Sequence, residues 1–474
     1  MNGARKLAKN TAILFISQFL GYILGFFYII YSARYLGAED FGTLSFAIAF
    51  TGIFGVFMDL GLSTFTTREV SKDKKLAGKF LGNTILIRAI LSLFIFLVIV
   101  IFVNMFSYPP VVKNIIYIIT LSTVFAVAAD IFNSIFQSYE KMEFRAIGQI
   151  LNNSFLLAGA LIAIIFKLDI IWFAFAYLIA NLFFFIYSAL ICIKKFVLPK
   201  IEIDFYFWKW ALLKSLPISF AILFSIIVFR IDTVILSLIK GNIAVGYYNA
   251  SYKLIEALMA VPIVFSTAVY PVFSKLHVYS KDSLSFSYHK SFKYLLILGL
   301  PIAAGSVALS DQIILLVYGT GFIQSSTALK ILIWVIPIIY LTYIFRILLI
   351  SINKQKLLLI ILSICMIFNI TANILLIPYF SYLGSSIVTV LTEFLSLVLS
   401  VYFISKNICK IEIKTIVIKP VIASFFVFLV ANYFKNNLLI AILLSILIYF
   451  AILFAVKTFS ESDLIIFKRI FNRE

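Results

Sequence analysis

Residues Thr11–Arg34 read TAILFISQFLGYILGFFYIIYSAR. An apolar run of this length supplies the roughly 20 residues that a helix needs to cross a hydrocarbon core of ~30 Å. It is longer than the core of a signal peptide, which runs to ~7–15 residues, and no convincing small-residue cleavage site follows it, so it reads as a retained first span. Comparable runs recur almost to the C-terminus. The 474 residues are 63% hydrophobic and 12% charged, with a mean hydropathy of +1.12. A soluble domain averages about 25% charged residues, so a soluble globular protein is excluded. The expectation is an all-α polytopic membrane protein.

Windows of about 19 residues place spans at 11–34, 42–65, 81–103, 114–138, 144–166, 170–193, 210–237, 244–272, 292–318, 327–350, 355–379, 383–405, 415–434 and 437–457. That is fourteen transmembrane helices, which puts both termini on one side. With that side cytoplasmic, most of the 39 Lys and Arg fall in cytoplasmic segments: Arg5, Lys6 and Lys9; Arg68 to Lys79; Lys194 to Lys214; Lys275 to Lys293; Lys406 to Lys419; and Lys457 to Arg473. This is the positive-inside pattern, and deleting any mid-chain span would invert every basic loop after it. The formal charge of +19 therefore reports topology and not nucleic acid, since no single basic patch forms. Cys192, Cys365 and Cys409 have no metal-binding spacing, and Cys192 and Cys409 fall at cytoplasmic helix ends where thiols stay reduced. Two segments are candidates for the membrane surface or for ordinary solvated loops: Thr66 to Phe80, and the tail from Ser460, which sets Leu464, Phe467 and Phe471 against Lys468, Arg469 and Arg473.

After span 1 comes Gly37-Ala38-Glu39-Asp40-Phe41-Gly42, and after span 7 comes Gly241-Asn242-Ile243-Ala244-Val245-Gly246, the same glycine spacing 204 residues on. Both lie in short outer turns that enter even-numbered spans. The pattern suggests two six-span halves of one orientation, followed by two extra helices. Internal repeats of this kind are common in transporters. The organisation expected is an N-lobe at 1–200, a C-lobe at 201–410, and spans 13 and 14 with a cytoplasmic tail at 411–474. Pro217, Pro262, Pro301 and Pro337 fall inside spans 7 to 10, whereas spans 1 to 6 contain no proline. Proline removes a backbone hydrogen bond and kinks a helix, so Pro217 and Pro262 are candidate hinges, static kinks being the alternative.

Ionisable side chains within a span cost ~2.5–3.5 kcal/mol each on insertion scales and so face a partner or a cavity. The candidates are Arg88, Asp130, Arg230, Asp232, Lys253, Glu256, Asp311, Arg346 and Glu393. Arg88, Arg230, Lys253 and Arg346 are candidate substrate-binding cations, whose positive potential suits a diphosphate. Asp130, Asp232, Glu256 and Glu393 are candidates for charge pairing or for coupling a cation. Bland roles compete with these: Arg346 near the inner end of span 10 can snorkel, Arg88 and Asp130 can pair, and Lys253 and Glu256, three apart on one helix face, can form a local salt bridge. Arg230 and Asp232, two apart, do not share a face.

Catalysis finds little support. His277 and His289 fall in the cytoplasmic connection between spans 8 and 9, leaving no intramembrane histidine relay and no zinc cluster. No phosphate-binding Gly-x-x-x-x-Gly-Lys-Ser/Thr occurs, and the outer loops are too short for the catalytic segment of a membrane glycosyltransferase or polymerase. The expectation is a transporter and not an enzyme, with no cofactor and no metal.

The second half carries Arg230-Ile231-Asp232-Thr233-Val234-Ile235-Leu236, Val245-Gly246-Tyr247-Tyr248-Asn249-Ala250-Ser251-Tyr252-Lys253-Leu254, Val261-Pro262, and Tyr270-Pro271-Val272-Phe273-Ser274. Together these resemble the polysaccharide-biosynthesis flippases of the multidrug/oligosaccharidyl-lipid/polysaccharide exporter superfamily. Asn369 to Pro378 with Gly384 is similar to the family's eleventh span, and Tyr35-Leu36-Gly37, Phe41-Gly42 and Asp59-Leu60-Gly61-Leu62 with Arg68 look like its first-lobe motifs. The likeness covers spans 1 to 12 in order. It implies two six-helix lobes in a V around a central cavity, rocking between inward-open and outward-open states to carry a polyprenyl-diphosphate-linked oligosaccharide outward across a prokaryotic cytoplasmic membrane. Its implied partners are that lipid-linked substrate, membrane lipids, and a glycan polymerase and glycosyltransferases of the same pathway. A lipid II flippase and a cation-coupled multidrug exporter are the alternatives. Span 1 offers Gln18 and Gly21 but no acid, which disfavours an exporter that relies on a first-lobe carboxylate.

Overall fold

The computed structural model describes residues 2–106, 108–407, 413–460 and 463. Cys409 and the tail residues Leu464, Phe467, Lys468, Arg469, Phe471 and Arg473 lie outside the described residues, as does the side chain of Gln18. The chain is helical from end to end, with no strand among the described residues. In order come α1 (Asn2–Asp59), α2 (Leu62–Lys72), α3 (Ala77–Met105), α4 (Pro110–Ser138), α5 (Met142–Ile165) and α6 (Ile170–Lys195). Then follow α7 (Phe205–Lys240), α8 (Asn242–Leu258), α9 (Ala260–Tyr279), α10 (Lys281–Ala308), α11 (Ser310–Tyr318), α12 (Ser325–Leu332) and α13 (Val335–Ser351). α14 (Gln355–Asn407), α15 (Ile413–Tyr433) and α16 (Leu438–Ala455) complete the chain.

Twelve helical stretches are long and apolar enough to cross a membrane. Helices are the expected solution, because hydrocarbon offers no partner for a backbone polar group. Two of the twelve are of double length: Phe19–Asp59 with 41 residues and Gln355–Lys406 with 52. Each is broken by one residue outside helical space, Gly37 (φ 71°, ψ −178°) in α1 and Ser381 (φ 52°, ψ −135°) in α14. At 1.5 Å per residue each has room for two passes, which accommodates the fourteen spans expected.

Where the helices depart from the expected spans, the cause is helicity that outlasts apolarity. The connection carrying His277 and His289 is not a loop: α9 runs to Tyr279 and α10 starts at Lys281, with only Ser280 between them, its side chain accepting from the amide of Ser283 at 3.2 Å. Span 9 is divided at Leu309 into α10 and α11. Thr66 to Phe80 forms most of α2, a single helical turn at Lys74–Leu76, and the start of α3. Leu62, Phe65, Thr66 and Val70 of α2 are buried.

The repeat seen in the glycines extends to backbone geometry. Gly241 (φ 82°, ψ 178°) repeats the conformation of Gly37. Both positive φ values are ones that only glycine adopts without strain. A second equivalence joins the α4–α5 turn to the α13–α14 turn. Glu140 (φ 57°) and Asn353 (φ 60°) are both left-handed. The amide of Lys141 donates to Phe136 O at 2.9 Å, as that of Lys354 does to Leu349 O at 2.8 Å. Ser138 Oγ donates to Ile135 O, and Ser351 Oγ to Leu348 O, each at 2.8 Å. These are the paired bonds of a helix terminated by a left-handed residue.

Two compact units emerge: Met1–Asn249 with Asn373–Ser381, and Ala250–Ala372 with Tyr382–Glu474. The first extends beyond residue 200 because the α6–α7 connection is bound to α3. The Lys200 amide donates to Gly78 O at 2.9 Å, Lys79 Nζ to Asp204 Oδ2 at 2.6 Å, and Trp208 Nε1 to Asn83 Oδ1 at 2.7 Å. The Lys79 hydrogen bond holds the Asp204 carboxyl below the usual range. Phe65, Phe80, Phe207 and Trp210 close an aromatic cluster over this junction.

In the second unit, two proline kinks are repaired by tyrosines. Pro301 has no N–H for Ile297 O, four residues back, and Tyr449 Oη of α16 donates to that carbonyl at 2.6 Å. Pro262 likewise leaves Leu258 O free, and Tyr340 Oη of α13 donates to it at 3.0 Å. Beyond α16, Asp463 is fully buried and accepts from Lys290 Nζ, Lys293 Nζ and Tyr294 Oη, tying the tail to α10. Burial disfavours its charge, but the hydrogen bonds from Lys290 and Lys293 outweigh that and keep the carboxyl well below its ordinary range.

Candidate functional site

The intramembrane charges fall into one enclosed cluster, one accessible pair and one loosely engaged pair. The enclosed cluster lies in the first unit. Arg88, midway along the inner half of α3, is 2% exposed. Its Nη2 meets Asp59 Oδ1 at the end of α1 and Ser63 Oγ of α2 at 2.6 Å, and its Nη1 donates to Val127 O of α4 at 2.9 Å. Asp59 stays at that spot because Leu60 and Gly61, both at positive φ, turn the chain into α2 while Asp59 Oδ1 also accepts from the amide of Ser63 at 3.2 Å. The partner expected for Arg88 was Asp130. The structure pairs it with Asp59, and Asp130 is an exposed carboxylate of α4 whose described contact is Asn133 Nδ2 at 3.5 Å. Sequence spacing did not show this, since a partner from another helix is fixed only by packing. Arg88 and Ser92 also line an otherwise apolar cavity of 590 Å³ between α3, α4 and α6.

Farther along the same unit, Asp232 of α7 is 2% exposed and accepts from Tyr248 Oη of α8 at 2.6 Å. Asn249 Nδ2 reaches Thr233 Oγ1 at 3.2 Å beside it. Arg230, two residues earlier, is half-buried. Asp232 belongs to the α7–α8 seam.

The second unit holds the other two pairs. Lys253 Nζ and Glu256 Oε2 of α8 are 2.5 Å apart, with side chains 19% and 27% exposed. This is the local pair expected from an i, i+3 spacing, and its partial exposure leaves it open to exchange. Arg346 of α13 faces α14. Its Nη2 lies 3.8 Å from Glu393 Oε2 of α14, its guanidinium rests over the Tyr343 ring, and Glu393 is 3% exposed. At 3.8 Å this is an ion pair without a hydrogen bond. Around it Asn369 Nδ2 donates to Thr392 Oγ1 at 3.1 Å, and Cys365 Sγ contacts Thr392 O at 3.8 Å, making a polar seam that the sequence showed only as scattered residues.

The candidate hinges differ in kind. Pro217 interrupts the interior of α7, where Gly61 packs against Ser215 O and the Ser219 amide on either side of it. Pro262 is the third residue of α9, directly after a break at Met259, a position that tolerates proline. No group of three or more metal-ligating side chains occurs among the described residues.

The profile described as polysaccharide biosynthesis protein matches residues 7–277, more than half of the chain, and the MatE profile matches residues 217–375. No curated protein matches. Among solved structures, one described as the lipid II flippase MurJ in an inward closed conformation is 19% identical, with a TM-score of 0.79 over 93% of this chain and 98% of that one. Inward-facing and outward-facing structures of a multidrug resistance MATE family transporter, each 15% identical, give TM-scores of 0.67 and 0.61. They cover 82% and 84% of this chain and 94% and 95% of theirs. At these identities the structures establish a shared fold. With the matching profile over more than half of its length, the chain belongs to the polysaccharide biosynthesis protein family, and it is a transporter and not an enzyme.

Proposed function

We propose that the protein flips a polyprenyl-diphosphate-linked oligosaccharide from the cytoplasmic to the outer leaflet of a prokaryotic cytoplasmic membrane by alternating access. The observation that carries this is the Lys253–Glu256 pair within a membrane-spanning stretch, whose side chains are 19% and 27% exposed. A closed structural pair has no need of exposure. A lysine whose carboxylate partner is exchangeable can take a diphosphate oxygen in its place, with Glu256 released as the cargo's charge arrives. Arg230, half-buried in its own span, is the other cation assigned to the cargo. Arg88, hydrogen-bonded to Asp59, and Arg346, beside the buried Glu393, set the field of their helices instead of gripping the substrate. Asp130 is held in reserve for charge pairing, and Pro217 is the hinge favoured over Pro262. Glycosyltransferases that build the lipid-linked unit, and a polymerase that consumes it, are the partners this role requires.

A second reading, a cation-coupled exporter, is favoured by the buried Asp232–Tyr248 contact and by the MatE match over 217–375. One reconstitution separates the two. Proteoliposomes carry a fluorescent polyprenyl-diphosphate trisaccharide, and an external glycosidase reports its arrival in the outer leaflet. Flipping above protein-free liposomes, lost in Arg230→Gln, supports the flippase. No flipping, together with expulsion of a cationic dye under a sodium or proton gradient, makes the protein an exporter with Asp232 and Glu256 at its site. Adding a peptide to the probe's sugar tests the lipid II alternative.

A further inference from the structure

The connection between α6 and α7 turns apolar side chains to the outside. Residues 197–204 form no helix. They lie on the first two turns of α3, where a Cβ at Gly82 would come 1.8 Å from Lys200 O and one at Gly78 would come 3.1 Å from Leu198 O. Only glycine admits so close a backbone at position 82. The Lys200 amide bonded to Gly78 O, the Lys79–Asp204 pair and the Trp208–Asn83 bond hold the segment to α3. What it then presents is Leu198, Ile201, Ile203, Phe205 and Tyr206, each 66–85% exposed. Residues two apart in extended chain share a side, which sets Ile201 and Ile203 opposite Lys200 and Glu202. All of this belongs to the first compact unit. An apolar patch fixed in place on a segment between two spans marks an interaction surface.

We propose that this connection is a membrane-surface anchor, seated in the headgroup layer of an anionic cytoplasmic leaflet. Lys194, Lys195, Lys200 and Lys209 stand exposed around the patch, against one exposed acid, Glu202. That excess of lysine complements anionic lipid, as apolar and basic side chains do together in segments that lie in the interface. Tyr206 and Trp210 are the ring types of interfacial belts. The patch is continuous with exposed apolar side chains of the two spans it joins, Leu190 and Ile193 of α6 and Leu213 of α7. The lipid that wets those spans therefore reaches it. The anchor pins the first turns of α7 to α3 and to the leaflet together, so movement of α7 begins beyond them, toward Pro217. The proposal holds for any cargo.

A nitroxide at Ile203→Cys or at Glu202→Cys reads the depth of the segment without any substrate. Only Cys409→Ser need accompany it, because Cys192 and Cys365 are buried. The labelled full-length chain is placed in nanodiscs of phosphatidylcholine with or without phosphatidylglycerol. With phosphatidylglycerol, the label at 203 should be relaxed by oxygen and shielded from an aqueous nickel chelate, and the label at 202 should show the reverse. Without it, the oxygen-to-nickel ratio at 203 should fall on the order of tenfold. Lys194→Gln/Lys200→Gln/Lys209→Gln should give that low ratio in both lipids. These side chains are exposed, so the unfolding temperature of each variant should match the wild type, and only such protein is read. Equal nickel access at 202 and 203 would overturn the proposal, as would a ratio at 203 that ignores lipid charge. Shielding of the label at 203 from both reagents would overturn it too, by showing that protein and not lipid covers the patch.

Discussion

The two repeats share their turns and differ in their charges. Gly37 and Gly241, and Glu140 and Asn353, put the backbone through the same angles at corresponding places. Yet the first repeat seals Arg88 against Asp59 at 2% exposure, while the second leaves Lys253 and Glu256 partly open on α8. The second also concentrates the prolines, and two of their kinks are repaired, one by its own Tyr340 and one by Tyr449 of the appended α16. Turn geometry is what two copies must keep in order to reverse the chain at equivalent places, and charge is free to diverge. The repeat that closes around Arg88 is the natural support, and the kinked one, with Lys253 and Glu256 partly exposed, is where cargo binding and movement should be sought.

Several substitutions would break or sharpen that contrast, the largest effect first. Arg88→Gln removes a buried guanidinium and leaves Asp59, whose side chain is 21% exposed, without its partner; it should destabilise the protein by about 3 kcal/mol, read as loss of monodisperse protein in a thermal unfolding series. Near-normal stability would mean that the first repeat is not sealed. Lys253→Gln should do the reverse, leaving the unfolding temperature nearly unchanged while flipping falls by about a hundredfold or more, roughly 2.7 kcal/mol in the barrier. A parallel loss of stability and activity would make Lys253–Glu256 a structural pair.

Tyr449→Phe removes the donor to Ile297 O and should cost ~1 kcal/mol. In a Pro301→Ala background, where the helix supplies its own amide to that carbonyl, the same change should cost almost nothing. Equal costs in the two backgrounds would show that the tyrosine and the kink are uncoupled. Pro217→Ala should slow flipping more than it weakens lipid binding, and more than Pro262→Ala does, since only Pro217 interrupts a helix interior. The smallest effect concerns the tail. The carboxyl of Asp463 is depressed in the folded protein, so its contribution to stability is fully present above the unfolded value of about 3.9 and is lost only as pH falls further toward the folded value. Protease access to the tail should therefore be constant between pH 5 and 8 and rise in Asp463→Asn; a transition near pH 6 would assign the latch to another group.

Membrane architecture was legible in the sequence because hydrocarbon imposes length and apolarity on every span. Helicity beyond the bilayer was not. Hydropathy is blind to the polar ends of α9 and α10, so the segment of His277 and His289 looked like a loop. The α4–α5 and α13–α14 turns carried a faint signal, Ser138-Tyr139-Glu140-Lys141 against Ser351-Ile352-Asn353-Lys354, too short to stand out without the hydrogen bonds that give it meaning. The candidate charges were recognisable singly. Pairs within one helix, such as Lys253 and Glu256, followed from spacing, but pairs between helices did not. Asp59 lay in view within a motif and went unrecognised as the partner of Arg88, because only the turn at Leu60 and Gly61 brings it there.

The central claim is that a cationic transporter moves a lipid-linked diphosphate. The most direct test is the initial rate at which wild-type proteoliposomes expose two otherwise matched probes to an external glycosidase, one a polyprenyl-diphosphate trisaccharide and the other the same glycan on an uncharged polyprenyl ether. The account predicts that the diphosphate crosses at least about tenfold faster and that Lys253→Gln erases the difference. Equal rates for the two lipids, or a difference that survives in Lys253→Gln, would contradict it.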